Sequence, residues 1–262
     1  MQRRSIDNTN IATSAIGFGT ASIHHLFWRR DRLRLLEAVF SNGITHFDTS
    51  PYYGFGLAET DVGAFIANRR NEVTVTTKVG LYSPDSYPNS ISIRARKLVG
   101  KFIPSFSNPI VNWNVEVAQK SLDNSLRRLK TDFVDFLLLH EPKSSLINQA
   151  QFAEWLQGLK KAGKIRNFGI AGLAQSIASW VNDGNCLTEV IQTKDSIEQH
   201  EADFVLEKGR KLQFTYGYLS NSTHSKGKND TIALALKRNS TGTIIVSTRK
   251  VERIKEIAES QP

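Results

Sequence analysis

Apolar and β-branched residues gather into eight short runs along the chain, at 16–20, 45–49, 73–79, 133–140, 167–172, 189–193, 212–218 and 243–248. Most are continuous rather than alternating. A strand covered on both faces reads that way, so the runs predict a parallel sheet under helices. Between them the period lengthens. Val115, Ala118, Leu122, Leu126 and Leu129 recur at three and four residues, the stripe of an amphipathic helix. Phe152, Trp155, Leu156 and Leu159 repeat it, with Gly163 placed to end that helix. Asp31 is positioned to cap a helix that Asn42-Gly43 would end, and Asn229 or Asp230 to cap another over 232–237. A last helix is expected over 250–259. The pattern leaves the helices after the second, fifth and sixth strands undefined.

Eight strands alternating with about eight helices, roughly 33 residues per unit, fit one closed (β/α)8 TIM barrel in the α/β class. A doubly wound sheet is the alternative. No Gly-x-Gly-x-x-Gly follows any predicted strand, and Gly17-Phe-Gly19 is only a truncated version of that loop. No composition break suggests a linker, so residues 1–262 are expected to form a single domain. The segment 81–114 is too long for an ordinary connection. It is expected to be a functional loop with some helix of its own.

Composition narrows the classes. With 40% hydrophobic and 23% charged residues the chain is not a disordered polymer. No stretch approaches the ~18 consecutive apolar residues of a membrane helix. The opening MQRRSIDNTN lacks an apolar core after its charges, so no secretory signal and a cytoplasmic address are expected. The single cysteine, Cys186, excludes an intramolecular disulfide and a cysteine-cluster metal site. The net charge of +9 invites a nucleic-acid reading. Such a protein would concentrate its charge on one element with aromatics interleaved. The densest run, Arg94-Ala-Arg-Lys97 with Lys101, has only Phe102 and Phe106 nearby, and no nucleic-acid partner is expected.

In a barrel of this kind reactive groups belong at the carboxyl ends of the strands. Asp48 closes the second run, Lys78 the third and His140 the fourth, and Tyr53 follows five residues after Asp48. A phenol with an ordinary pKa of ~10 is a poor acid or base near neutrality. A neighbouring lysine ammonium would lower it, and a carboxylate would keep that lysine charged despite burial. A histidine beside them could orient a substrate oxygen. The set suits moving a proton on or off a carbonyl or alcohol oxygen, with no metal. Singly, each residue also reads as a structural ion pair, a turn tyrosine or a packed histidine. Their convergence on three successive strand ends favours chemistry. A metal-dependent hydrolase finds less support, since His24-His25 is no His-x-His pair and no second ligand accompanies His140.

Phe47-Asp-Thr-Ser-Pro-Tyr-Tyr-Gly54 followed by Glu59, then Thr76-Thr-Lys-Val-Gly80, then Leu137-Leu-Leu-His140, resembles the aldo-keto reductase superfamily. Pro51-Tyr52-Tyr53 and Gly56-Leu-Ala-Glu59 are most similar to its aldose and galactose dehydrogenase branch. The resemblance runs from Gly17 to Glu256. It implies a (β/α)8 barrel that moves a hydride between a nicotinamide and the carbonyl or alcohol carbon of an aldehyde, ketone or sugar. NADP(H) would be preferred, with NAD(H) possible. Tyr53 would be the general acid–base, Lys78 and Asp48 its tuning pair, and His140 the residue that orients the substrate. Gly19, Thr20 and Asp48 would face the cofactor. Gln192 would contact its carboxamide and Tyr216 stack on its ring. Ser247, Thr248, Arg249 and Arg253 would bind the phosphate of its adenosine half. Arg249, Lys250, Arg253 and Lys255 also read as a solvated helix face.

The chain departs from the family pattern in several places. Phe168-Gly-Ile-Ala-Gly172 stands where Ile-Gly-Val-Ser-Asn is usual, so the Ser-Asn contacts to the carboxamide are missing. Tyr216-Gly-Tyr-Leu219 replaces Tyr-Ser-Pro-Leu, and the following 220–229 is short and polar. Ser247 replaces a common lysine, which weakens strict NADP selectivity. The stop at Pro262 predicts a pocket open on that side, with 81–114 as its main wall. These departures motivate a second reading, a catalytically weak nucleotide-binding sensor or regulatory subunit. With no extra element suggesting an interface, a monomer is expected.

Overall fold

In the computed structural model, which describes residues 1–83, 109–219 and 228–260, all eight predicted runs are strands of one closed barrel. They are β1 (Ile16–Gly19), β2 (His46–Asp48), β3 (Thr74–Val79), β4 (Val134–His140), β5 (Ile165–Gly172), β6 (Val190–Lys194), β7 (Phe214–Tyr216) and β8 (Thr243–Val246). Each pairs in parallel with its sequence neighbours, and β8 closes onto β1 through Ile245 opposite Gly17. Most of 81–114, the basic run at 94–101 with Phe102 and Phe106, most of 220–229, and Pro262 lie outside the described residues. The two ends of 81–114 are described: Leu81–Tyr82 pairs antiparallel with Ile110–Val111.

Eight helices lie between the strands among the described residues: α1 (Arg29–Ser41), α2 (Leu57–Ile66), α3 (Val115–Leu129), α4 (Gln149–Lys161), α5 (Ala174–Asn182), α6 (Asp203–Leu206), α7 (Lys228–Arg238) and α8 (Glu252–Glu259). The stripe of α3 is buried at Ala118, Leu122, Leu126 and Leu129, and that of α4 at Phe152, Leu156 and Leu159. None of the eight is long and apolar enough to cross a membrane. Two expected caps are corrected. Helix α1 starts before Asp31, which lies in its first turn, and α7 starts before Asn229 and Asp230. An acid in a first turn still meets the positive end of the helix, so the residue type signalled the right neighbourhood. The Asn114 side chain caps α3, accepting from the N–H groups of Glu116 (2.7 Å) and Val117 (3.3 Å).

Side chains alternate along a strand, so parity decides which of them enter the barrel. Phe136 and Leu138 of β4, Val190 of β6, Phe214 of β7 and Ile245 of β8 fill the interior. The intervening Phe47, Val75, Leu137 and Leu139 pack outward against the helices. The amino-terminal hairpin, Arg3–Ser5 with Ala12–Ser14, adds Ile6 and Ile11 to the interior cluster. His46 also faces inward. Its Nδ1 lies 2.9 Å from Thr74 Oγ1, its Nε2 3.4 Å from Thr76 Oγ1, and its ring stacks on Phe214 at 4.9 Å. Two residues further along their strands, the same parity brings Asp48 and Lys78 inward at the carboxyl rim.

Candidate active site

Lys78 and Asp48 are almost wholly buried at that rim. Lys78 Nζ donates to Asp48 Oδ1 at 2.6 Å, to the Thr49 carbonyl at 3.0 Å and to Tyr53 Oη at 3.3 Å. Glu59, fully buried on α2, supplies a further negative charge that supports the Lys78 ammonium. It is itself held by Thr77 Oγ1 at 2.6 Å and Arg128 Nε at 2.7 Å. Burial nevertheless outweighs the two carboxylates and lowers the Lys78 pKa from its ordinary value.

Tyr53 reaches this pair because the chain doubles back after β2. Gly54, Phe55 and Gly56 are successive residues with positive φ, at 58°, 55° and 86°. A Cβ at Gly54 would stand 2.6 Å from that of His24, so position 54 admits only glycine. The Tyr53 and His140 rings meet edge to face at 6.0 Å. The expectation that Lys78 lowers the phenol pKa is overturned. Burial first, then the charges of Asp48 and Glu141, hold Tyr53 well above its ordinary value. The lysine charge is already answered by Asp48, so it has little left for the phenolate. Burial and the Lys78 charge push His140 down to about 3, so its imidazole is neutral at pH 7. His140 Nδ1 is buried with no hydrogen-bond partner among the described residues.

These four side chains border a cavity of about 260 Å³ at the carboxyl end of the barrel. Gly19, Gln192, Tyr216 and Ser247 border it too. Thr20 does not. Its side chain is fully buried and Oγ1 donates to the Asp48 carbonyl at 3.0 Å, which fixes the strand end carrying Asp48. The Ser247 hydroxyl donates to the Gly19 carbonyl at 2.7 Å, leaving its oxygen only as an acceptor. Thr248, Arg249 and Arg253 follow β8 in the chain and do not line this cavity, with Arg249 exposed and Arg253 half-buried. Neither arginine has an ion pair among the described residues.

The departures noted in the sequence have structural counterparts. Tyr218 Oη donates to the buried Asp195 at 2.7 Å, and Arg238 Nε holds the same carboxylate at 3.0 Å, so the segment after β7 is tied from behind. At Ala171-Gly172 the missing side chains leave room that Glu141 enters. Glu141, next to His140 and itself at positive φ (52°), folds its N–H onto the Ala171 carbonyl at 2.7 Å. Both its carboxylate oxygens accept from Leu173 N–H, at 3.1 and 3.3 Å, and the side chain borders the cavity. Sequence reasoning gave this residue no role.

Residues 15–205 match the profile of the Aldo/keto reductase family. The chain belongs to that family. It is 30% identical over 191 residues to the L-galactose dehydrogenase of Arabidopsis thaliana, a match that takes in 70% of this chain and 52% of that protein. The chain spans about half the length of the curated relatives it matches. Among solved structures, an aldo-keto reductase from Bacillus halodurans in its holo form superposes with a TM-score of 0.75 at 18% identity, covering 99% of this chain and 90% of that one. An aldo-keto reductase from Klebsiella pneumoniae in complex with NADPH gives 0.65 at 20% identity, with 99% and 90% covered. At these identities the two superpositions establish the shared barrel.

The cavity suits one flat ring carrying an amide. Tyr216 presents a half-buried ring to it, and Ala171 and Gly172 lack the side chains that would fill it. The Gln192 side-chain amide borders it and makes no hydrogen bond among the described residues. A nicotinamide would fit the residues present, and Gln192 and Tyr216 are the side chains that would hold it.

Proposed function

We propose that this chain is an NAD(P)(H)-dependent oxidoreductase acting on the carbonyl or alcohol carbon of an aldehyde, ketone or sugar. The observation that supports the reading most is the meeting of Tyr53, Lys78, Asp48 and His140 at one cavity edge. Tyr53 Oη accepts from Lys78 Nζ, so the phenol keeps its own proton for an oxygen in the cavity. With its pKa held high, Tyr53 is a proton donor at neutral pH. The neutral His140 adds an uncharged contact for the same oxygen and does not compete for the proton. A reduced nicotinamide held by Gln192 and Tyr216 would supply the hydride, and Tyr53 is placed to give its proton to the carbonyl oxygen.

NADP(H) is the preferred cofactor in this reading. Arg249 and Arg253 are free of ion pairs among the described residues, and a guanidinium grips a phosphate dianion in bidentate fashion. The test pairs fluorescence titration of the protein with NADPH and NADH with turnover of a panel of aldehydes and sugars by wild type and Tyr53→Phe. Loss of a general acid costs about 10²- to 10⁴-fold in rate. The expected result is that loss with cofactor affinity unchanged. Wild-type turnover by Tyr53→Phe overturns the mechanism. Tight nucleotide binding with no turnover of any substrate supports the second reading, a regulatory nucleotide-binding subunit, which the altered 171–172 contacts favour.

A further inference from the structure

The cavity has an uneven charge. The charged side chains that border it are Asp48, Lys78 and Glu141. Asp48 and Lys78 cancel in a 2.6 Å pair, and Tyr53 and His140 are neutral. Glu141 is left as one unanswered negative charge. It has no salt bridge among the described residues, and its only hydrogen-bond donor there is Leu173 N–H. That donor is the N-cap of α5, so the carboxylate sits at the positive end of a helix, where an anion is stabilised.

The position is fixed rather than incidental. The left-handed backbone at Glu141, its N–H bond to Ala171 and the Leu173 contact together set where the carboxylate lies. A Cβ at position 172 would stand 2.8 Å from Glu141 Oε2 and 2.9 Å from Ile177 Cγ2. Glycine at 172 thus leaves the space that the Glu141 carboxylate occupies. The same charge reaches across the cavity, where it contributes to raising the pKa of both Tyr53 and Tyr216.

Resting on the proposed nicotinamide function, we infer that Glu141 is a specificity-determining residue that makes this site favour the oxidised, cationic nicotinamide over the reduced, neutral one. The discrimination is electrostatic. The two ring forms have nearly the same shape and differ by one positive charge, so a fixed anion beside the ring discriminates between them. The carboxylate also leaves lone pairs for the carboxamide NH₂. Stabilising the cation lowers the reduction potential of the bound cofactor, so a site poised this way favours hydride transfer from the reduced nicotinamide to a carbonyl carbon.

The test measures dissociation constants for oxidised and reduced cofactor, without substrate, by tryptophan fluorescence in wild type, Glu141→Gln and Glu141→Ala. Glutamine keeps the shape and an acceptor for Leu173 N–H while removing the charge. Alanine removes both and reads the same ratio should glutamine disturb the fold. One charge on the wall of the cavity that would hold the ring, at an effective dielectric of a few tens, would change the ratio of reduced to oxidised constants about tenfold. The expected result is a fall of that size in both variants, produced by weaker binding of the oxidised form with the reduced form little changed. An unchanged ratio, or equal weakening of both forms, overturns the inference and leaves the proposed function standing. A wild-type chain that binds neither form overturns the proposed function and this inference with it.

Discussion

Acidification tests the interior of the barrel directly. His46 is fully buried between Thr74, Thr76 and the Phe214 ring, and burial followed by the Lys78 charge pushes its pKa down to about 3. In the unfolded chain an imidazole titrates near 6.5. The folded pKa is the lower one, so between the two values the unfolded state binds more protons and stability falls as pH falls. The loss is negligible at pH 7.5. At pH 4.5 it amounts to about 2.7 kcal/mol, two pH units at about 1.36 kcal/mol each. The perturbation is His46→Gln, which keeps polar partners for the two threonines but has no imidazole to protonate. The assay is urea unfolding of both proteins at pH 7.5 and 4.5. Carboxylate contributions are common to both and cancel in the difference. The variant should be less stable at pH 7.5 through lost stacking, yet lose about 2.7 kcal/mol less than wild type on going to pH 4.5. Equal losses in the two proteins would refute the claim that His46 is held neutral by its burial.

Asp48→Asn should destabilise the fold by about 3 kcal/mol at pH 7, because it leaves the Lys78 ammonium buried without its carboxylate. Its pKa then drops further, so the deficit should shrink as pH rises towards 10 in urea unfolding. A deficit independent of pH would contradict the assignment. Gly80→Ala meets two obstacles, a φ of 106° and a Cβ 2.1 Å from the Trp113 ring. It should cost about 2 kcal/mol or more in thermal unfolding. Asn114→Ala removes the α3 cap and should cost about 1 kcal/mol in the same measurement, with cofactor affinity unchanged.

The strands were legible because parallel strands buried on both faces leave unbroken apolar runs, and all eight runs fold as strands of the barrel. Helices α3 and α4 were legible because each has one wet face. Helix α2 was not: Leu57, Ala58, Val62, Phe65 and Ile66 bury it nearly all round, together with Glu59 and Asp61, so no stripe exists to read. Helix α6, at four residues, is too short to show a period. At the site, the strand-end rule brought Asp48, Lys78 and His140 to one rim. It could not tell that Thr20 turns down onto the Asp48 carbonyl. The direction of the Tyr53 shift was missed because it depends on how completely one carboxylate answers Lys78 and on a second one nearby. Glu141 carried no signal of its own. Its inward turn depends on a left-handed backbone and on a glycine thirty-one positions away, and the only available hint was the loss of bulk at 171–172.

The fit between Glu141 and Gly172 also constrains how this protein can change over generations. A mutation that places asparagine at 172 in the presence of Glu141 drives a side chain into a carboxylate, so that step displaces the Glu141 tip unless position 141 has changed. The opposite order is open, because losing Glu141 first leaves only an empty corner beside Ile177. The two positions are therefore coupled, and one order of change is easier than the other. Descendants of this chain should carry glycine with or without glutamate, or asparagine without it, while glutamate with asparagine should be the disfavoured combination.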